Sequence, residues 1–385
     1  MSQKTIYMDV SNLLEQNFLT GIQRVVREVA LRLCRHDGLD VKFLRIDTSN
    51  HRFECVPEKV FRDVLAGHPL RTKMDFPCLE LAQLQRGSIF YDIDAVWGAQ
   101  PQRSWLYPAL RAQGVLVVTF VHDIIPITEP QYCYPNTVCQ FMNYTGAVLN
   151  HANAIFVSTQ ATMREIQKLQ EKVNSPKVPV YVTGLGADFA ASSSQGEVSP
   201  AVIQALGQQP YILLVSTLEP RKNHSLLLDA FDMGLYEEGL NLVFAGRFGW
   251  GIEELQKRIQ NHPQLGRHLL HFSGQNDATI DYLYRHAFLT AYPSFNEGFG
   301  LPIIESLVRG VPVVASNRDV LQEVGKDFCL YCDPTKPADW ADLFRQMLHS
   351  PEKMQELRAH LQAFKAPTWD EATDKMADYL IQSVQ

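Results

Sequence analysis

Short, nearly continuous runs of Val, Ile, Leu and Phe recur along this chain, with stretches of helical periodicity between them. That alternation constrains the fold more than any other feature. A strand buried on both faces reads as an unbroken apolar run, and such strands belong to parallel sheets whose crossovers are helices. In the first half the runs are KTIYMDVS (4–11), VKFLRI (41–46), SIFYDI (88–93), VLVVTFV (115–121), AIFVS (154–158) and VPVYVT (178–183), with helical segments at 22–36 and 161–173. Strand and helix in repetition predict a doubly wound α/β sheet.

Residues 187–209 are rich in Ser, Ala and Gly and read as a linker. A second series follows, with strands at 211–218, 240–246, 268–274, 289–294, 311–316 and 328–333, and helices at 223–233, 280–287 and 302–310. Residues 368–384 form one amphipathic helix after Pro367. The 385 residues suit two domains at ~150 residues each. We expect an N-terminal Rossmann-like domain over 1–195, a C-terminal Rossmann-like domain over 205–367 and a final helix over 368–385. Two such sheets joined by a linker imply a cleft between the carboxyl ends of their strands, where open α/β folds bind ligands.

Composition excludes several classes. Thirty-five Lys and Arg stand against 42 Asp and Glu, a formal charge of −7, which argues against a nucleic-acid partner gripped by its phosphates. The acidic excess lies in the back half: residues 1–190 hold 19 basic and 18 acidic side chains, residues 191–385 hold 16 and 24. Seven cysteines are too sparse for a disulfide framework. The N-terminus lacks a signal-like apolar core, and no window approaches a spanning helix. The expectation is a soluble, reduced, cytoplasmic protein.

The stretch richest in chemistry is Ser294-Phe295-Asn296-Glu297-Gly298-Phe299-Gly300-Leu301-Pro302-Ile303-Ile304-Glu305. A strand ends, two glycines permit close backbone approach, and Pro302 suits the first turn of a helix whose free N–H groups attract an anion. Glu297 precedes that helix and Glu305 is expected in its first turn. Carboxylates beside an anion site suit hydroxyl donors, as on a phosphate-bearing sugar or ribose. Taken alone, Glu305 is equally well explained as an offset to the helix dipole.

Arg221 and Lys222, in Ser216-Thr217-Leu218-Glu219-Pro220-Arg221-Lys222-Asn223, follow the first strand of the second series. Two cations there could neutralise a diphosphate without a metal; an isolated Arg-Lys pair is otherwise a solvated turn. Thr20-Gly21-Ile22-Gln23-Arg24 follows the first strand of the first series, and Val121-His122-Asp123-Ile124-Ile125-Pro126 ends its most apolar one. Gly21 permits close approach, and His122 could meet a substrate hydroxyl, although a lone His is more often structural.

Together these segments are similar to the retaining glycosyltransferases of family 4, which have the GT-B fold. EGFGLPIIES followed by PVVAS resembles their glutamate-x7-glutamate element, EPRKN their diphosphate-binding pair, and TGIQR, VHDIIP, FAGRFGW and TWDEA further family segments in the expected order. The resemblance implies two Rossmann-like domains facing a cleft, with the last helix crossing back to the first domain. It implies that Arg221 and Lys222 hold a donor diphosphate and that Glu305 binds ribose hydroxyls. Glu297 with the backbone of Gly298, Phe299, Gly300 and Leu301 would hold the transferred sugar and the β-phosphate. His122 would contact that sugar, and Gly21 would let its loop close on the phosphates. The implied catalytic set is His122, Arg221, Lys222 and Glu297, with no cofactor and no metal. The implied reaction is front-face transfer of a hexose from a nucleotide-diphosphate sugar to a saccharide or lipid-linked hydroxyl. The segments look most like bacterial mannosyltransferases of surface polysaccharide synthesis, which puts GDP-mannose first among donors. The alternatives are a GT-B epimerase or phosphorylase, and a non-catalytic sugar-nucleotide-binding module.

Three further signals have weaker readings. Asp92-Ile93-Asp94 has the spacing of a metal-binding D-x-D, a motif frequent by chance. Cys329 and Cys332 fall in a strand-like run, where positions three apart point to opposite faces, against a metal site. Arg24, Arg27, Arg32 and Arg35 share one arc of the helix at 22–36. The arc reads as a solvated face, or else as a peripheral contact with an anionic membrane surface.

Overall fold

A computed structural model describes residues 3–15, 21–47, 52–66, 68, 76–188 and 196–382. The chain divides into two units, one of residues 1–186 with 367–385, the other of 187–366.

The strands of the first unit are β1 (Lys4–Asp9), β2 (Leu39–Asp47), β3 (Arg52–Val56), β4 (Cys78–Leu79), β5 (Ile89–Asp92), β6 (Leu116–Phe120), β7 (Ala154–Val157) and β8 (Val180–Val182). They form one sheet in the order β4-β3-β2-β1-β5-β6-β7-β8. β3 and β4 run antiparallel and the rest are parallel. The parallel strands coincide with the apolar runs, as residues sealed on both faces must. The antiparallel pair has no such run. β3 instead alternates charge with apolar residues and pairs its charges with β2, Glu54 with Arg45 at 2.6 Å and Arg52 with Asp47 at 3.2 Å.

The helix expected at 22–36 spans Gly21–Leu33, buries Val26, Val29 and Leu33, and packs against the final helix, Trp369–Gln382. Arg32 bonds Asp370 of that helix at 2.6 Å and Glu28 at 2.6 Å. The arginine arc is therefore partly spent inside the unit, and of its four members only Arg35 is fully exposed. Trp369 is 1% exposed, and a Cβ at Gly186 would lie 2.1 Å from its backbone nitrogen, so only glycine lets the two segments meet there. Tyr379 lies against Tyr181, ring centres 4.2 Å apart.

The second unit holds β9 (Tyr211–Val215), β10 (Asn241–Ala245), β11 (Leu269–Phe272), β12 (Leu289–Tyr292), β13 (Val313–Ser316) and β14 (Cys329–Cys332). They form a sheet in the order β11-β10-β9-β12-β13-β14, parallel throughout. Alternate residues enter opposite cores: Ile212, Leu214 and Phe244 pack with Phe231 and Trp340, while Leu213 and Val243 pack with Leu283 and Tyr284. The linker expected over 187–209 is corrected in part. Its stretch 189–195 lies outside the described residues, but Pro200–Leu206 is a helix whose Val202 and Leu206, one turn apart, join the second of these cores.

Strand order reverses once in each sheet, and the carboxyl ends flanking the reversal are where doubly wound folds bind ligands. In the second unit the point lies between β9 and β12. In the first it lies between β1 and β5, where Asp9 and Asp92 are both buried. Arg103 lies between them, its Nε 2.6 Å from Asp92 and an amino nitrogen 2.5 Å from Asp9, while the Tyr107 hydroxyl donates to Asp92 at 2.8 Å. Burial pushes the Asp92 carboxyl above the usual range despite the adjacent guanidinium. Half of the D-x-D spacing is therefore an internal ion network. Removing one partner of a buried ion pair costs about 3–5 kcal/mol because the other charge is stranded. Arg103→Ala is expected to lower the thermal unfolding midpoint by several degrees, and Asp9→Asn combined with Asp92→Asn in that background to recover part of the loss. An unchanged midpoint in Arg103→Ala would show that the network carries no such weight.

Candidate functional site

The loops after β9 and β12 build a charged site in the second unit. After β9 the chain makes a short 3₁₀ turn, Pro220–Lys222, and enters the helix His224–Phe231 through Asn223 at φ 55°. Asparagine tolerates that left-handed backbone. Its amide Nδ2 donates to the carbonyls of Pro293 at 3.2 Å and Pro334 at 2.9 Å, tying the turn to the neighbouring loops. The Phe295 N–H donates to the Arg221 carbonyl at 2.9 Å, a direct backbone link between the β9 and β12 loops. Gly246, in the loop after β10, supports the arrangement from below: a Cβ there would fall 1.8 Å from the Ser216 carbonyl oxygen.

These constraints bring Arg221, Lys222 and Glu297 together. Glu297 accepts from the Lys222 ammonium at 2.6 Å, from the Arg221 guanidinium at 2.7 Å and from the Ser294 hydroxyl at 2.8 Å. Arg221 also donates to Glu219 at 2.7 Å and to the Asn296 carbonyl at 2.7 Å. Two carboxylates thus balance the two cations, because partly buried charge requires a partner. Burial opposes ionisation of Glu297, but Arg221 and Lys222 outweigh it and hold the carboxyl at about 2. A carboxylate so depressed is a weak base at neutral pH.

Gly298, Phe299, Gly300 and Leu301 follow directly. Gly300 caps the helix Leu301–Leu307 at φ 95°, a conformation that favours glycine, and Pro302 sits in its first turn. Glu305 lies beyond that first turn, a correction to its expected place. It accepts from the buried Tyr284 hydroxyl at 2.9 Å, and Tyr284 in turn carries Arg309 4.9 Å above its ring.

Gly21 and His122 belong to the first unit. Gly21 is the exposed first residue of its helix, and Thr20 lies outside the described residues. His122 and Ile22, the neighbour of Gly21, line one small cavity with Asp94, Trp97 and Tyr144. The His122 Nε2 lies 2.7 Å from the Ile93 carbonyl, which can only accept, so that nitrogen carries the proton. Burial lowers the His122 pKa, leaving the ring neutral at physiological pH.

Among the described residues no group of three or more His, Cys, Asp or Glu is placed to hold a metal. Burial pushes the thiols of Cys329 and Cys332 up to about 12 and about 11, away from the thiolate form a metal would need. Three partners escaped the sequence reading. Glu219 showed only its place in EPRKN, Ser294 read as the end of a strand, and Asp94 read as half of a metal motif.

The depressed carboxyl has a consequence for stability. Glu297 ionises more readily folded than unfolded, so its contribution is fully present above about 4.5 and is lost as pH falls toward about 2. That contribution is on the order of 3 kcal/mol. Between pH 5 and pH 2 the unfolding midpoint of the wild type should fall more steeply than that of Glu297→Gln, as read by scanning calorimetry. Parallel curves would contradict the ion cluster.

Residues 197–363 match the family model described as glycosyl transferases group 1. The serotype-specific mannosyltransferase WbdA of Escherichia coli is 26% identical over 367 residues, covering 90% of this chain and 42% of WbdA. The chain therefore spans about two-fifths of the length of that relative. O-antigen chain mannosyltransferase B of E. coli is 35% identical over 226 residues, 56% of this chain and 57% of the relative. Among solved structures, Anabaena Alr3699/HepE in complex with UDP and glucose superimposes with a TM-score of 0.67 at 15% identity, over 99% of this chain and 100% of that one. Sucrose-phosphate synthase from Thermosynechococcus elongatus gives 0.66 at 16% identity, over 99% of each chain. Residues 197–363 thus resemble a glycosyl transferases group 1 domain, and the chain that carries them has the two-unit α/β fold of the GT-B glycosyltransferases.

Proposed function

We propose that this protein is a retaining glycosyltransferase that moves a hexose, mannose first among candidates, from a nucleotide-diphosphate sugar to a saccharide or lipid-linked hydroxyl in bacterial polysaccharide synthesis. The observation that carries the proposal is the Arg221–Glu297–Lys222 cluster at the strand-order reversal of a group 1 domain. The mannosyltransferase relatives support mannose, and GDP-mannose is accordingly the first donor to try.

On this reading the cluster is an exchange site. A donor diphosphate takes the place of the Glu297 carboxylate on Arg221 and Lys222, trading one set of charge-assisted hydrogen bonds for another. Glu297, released, accepts from a hydroxyl of the transferred sugar. Cleaving the anomeric C–O bond puts negative charge on the leaving diphosphate, where the two cations and the helix start at Leu301 stabilise it. Glu297 is a positioning carboxylate and not a covalent nucleophile. The leaving phosphate oxygen then takes the proton of the attacking acceptor hydroxyl on the same face of the sugar. Glu305 toward the ribose, His122 toward the sugar and Gly21 toward the phosphates belong to the same proposal.

Two cations at the phosphates leave no step that needs a divalent ion, and Asp92 is committed to Arg103 and Tyr107. We therefore propose catalysis without metal or cofactor. No described helix is long and apolar enough to cross a membrane. A peripheral membrane contact would rest on the exposed Arg35, just past the helix Gly21–Leu33, with the half-buried Arg24 and Arg27 beside it.

The test begins with a thermal-shift panel of GDP, UDP, ADP and TDP and their hexoses, since a ligand bound only by the folded state raises the midpoint. GDP-mannose is expected to give the largest shift and to be hydrolysed slowly without acceptor. Product NMR should show the donor's anomeric configuration retained. Lys222→Ala is expected to lose at least about a hundredfold in turnover, the scale seen when one donor to a developing oxyanion is removed. Excess EDTA should leave the rate unchanged. Indifference to every sugar nucleotide, or full activity in Lys222→Ala, would defeat the proposal; loss of activity in EDTA would defeat its metal-free part.

A further inference from the structure

Asp94, the second acid of the D-x-D spacing, has a different environment from Asp92. It is 2% exposed and borders the cavity shared by Ile22, Trp97, His122 and Tyr144. One carboxylate oxygen, Oδ1, is fully engaged: it accepts from the Ala95 N–H at 2.6 Å, the Asn12 amide at 3.0 Å and the Gln23 amide at 3.3 Å. The other, Oδ2, is buried and has no hydrogen-bond partner among the described residues. A buried carboxylate oxygen left without a donor costs free energy, and folded proteins seldom leave one so unless something else supplies the hydrogen. The three bonds to Oδ1 fix the carboxylate plane, so Oδ2 is held in one place.

The cavity suits one kind of donor. Its volume of about 20 Å³ accommodates little more than a single oxygen-sized group. Its walls are mostly aromatic, with Trp97, Phe120, Phe141 and Tyr144 around the polar edge formed by Asp94, Asp123 and His122. A guanidinium would not fit, and a phosphate would be repelled by the acids. One hydroxyl on an otherwise apolar ring face fits both features.

We propose that Asp94 is a specificity-determining residue that accepts a hydrogen bond from one hydroxyl of a sugar ring, the hydroxyl alone entering the cavity beside His122. The inference rests on the glycosyltransferase reading. It adds to that reading a residue of the first unit and a hydroxyl contact assigned to no other group. The hydroxyl belongs either to the acceptor or to the transferred hexose.

Asp94→Asn keeps the shape and the three bonds to Oδ1 but places an NH₂ where Oδ2 was, which can donate and no longer accept. The experiment compares wild type and Asp94→Asn on two series of substrates, acceptors and donor hexoses, each lacking one hydroxyl at a time. In the wild type one deoxy compound should lose at least tenfold in kcat/KM. Asp94→Asn should lose a similar factor on the complete substrates and no further factor on that one compound, the non-additivity expected of two groups in contact. The series in which that compound occurs names the source of the hydroxyl. If Asp94→Asn changes the unfolding midpoint while every substrate keeps its wild-type kinetics, Oδ2 faces only a water and the proposal is overturned. It is overturned equally if no deoxy compound is penalised in the wild type, a result that needs no variant to fold. A wild type that transfers from no donor would sink the glycosyltransferase reading instead, which keeps the two failures apart.

Discussion

Positive charge gathered at the mouth of a sheet must be balanced before a ligand arrives, or the loops that carry it repel one another. Glu297 provides that balance. It draws Arg221 and Lys222 from the β9 loop toward the β12 loop, while Glu219 holds Arg221 from the other side. The surrounding structure is shaped to permit the contact. Asn223 adopts a left-handed turn and ties it to the strand ends, the Phe295 N–H reaches the Arg221 carbonyl, and Gly246 leaves room for the Ser216 carbonyl. A neutral cluster of this kind is stable when empty. An anion able to take over the same donors can still exchange into it.

The first unit meets the equivalent problem with opposite sign. Its strand-order reversal gathers Asp9, Asp92 and Asp94, and burial penalises all three as charged groups. Arg103 and Tyr107 resolve the first two from within the chain. Asp94 is resolved on one oxygen only. Burial pushes the Asp94 carboxyl above the usual range although Ala95 and Asn12 donate to it. The same topological point in two similar sheets therefore holds an internally balanced cluster in one and an incompletely satisfied acid in the other.

Much of the fold was legible because a strand sealed between helix layers has few residue choices. Every parallel strand of the second unit falls inside an apolar run read from the sequence, as do β1, β5, β6, β7 and β8 in the first. The antiparallel strands β3 and β4 were not legible. RFECV alternates charge with apolar residues, as an edge strand may, and resembles a loop as closely as a strand. The helix Pro200–Leu206 was hidden by the Ser- and Gly-rich residues beside it. At the candidate site, Arg221, Lys222 and Glu297 could be singled out because a cation pair and an acid each followed a strand end. Their mutual bonds could not, since 75 residues separate Lys222 from Glu297 along the chain.

The sequence by itself determined the two α/β units, the places where their strands end and the residue types offered there, because apolar periodicity and glycine or proline punctuation act over a few residues. Only the tertiary structure decided which charge meets which. Asp92 and Asp94 stand two apart and are chemically identical, yet one is consumed by Arg103 and the other keeps an oxygen without a donor. That difference comes from side chains brought in by distant helices and from burial. Neither is encoded in the local pattern, because Coulomb attraction and desolvation depend on distance through space and not along the chain.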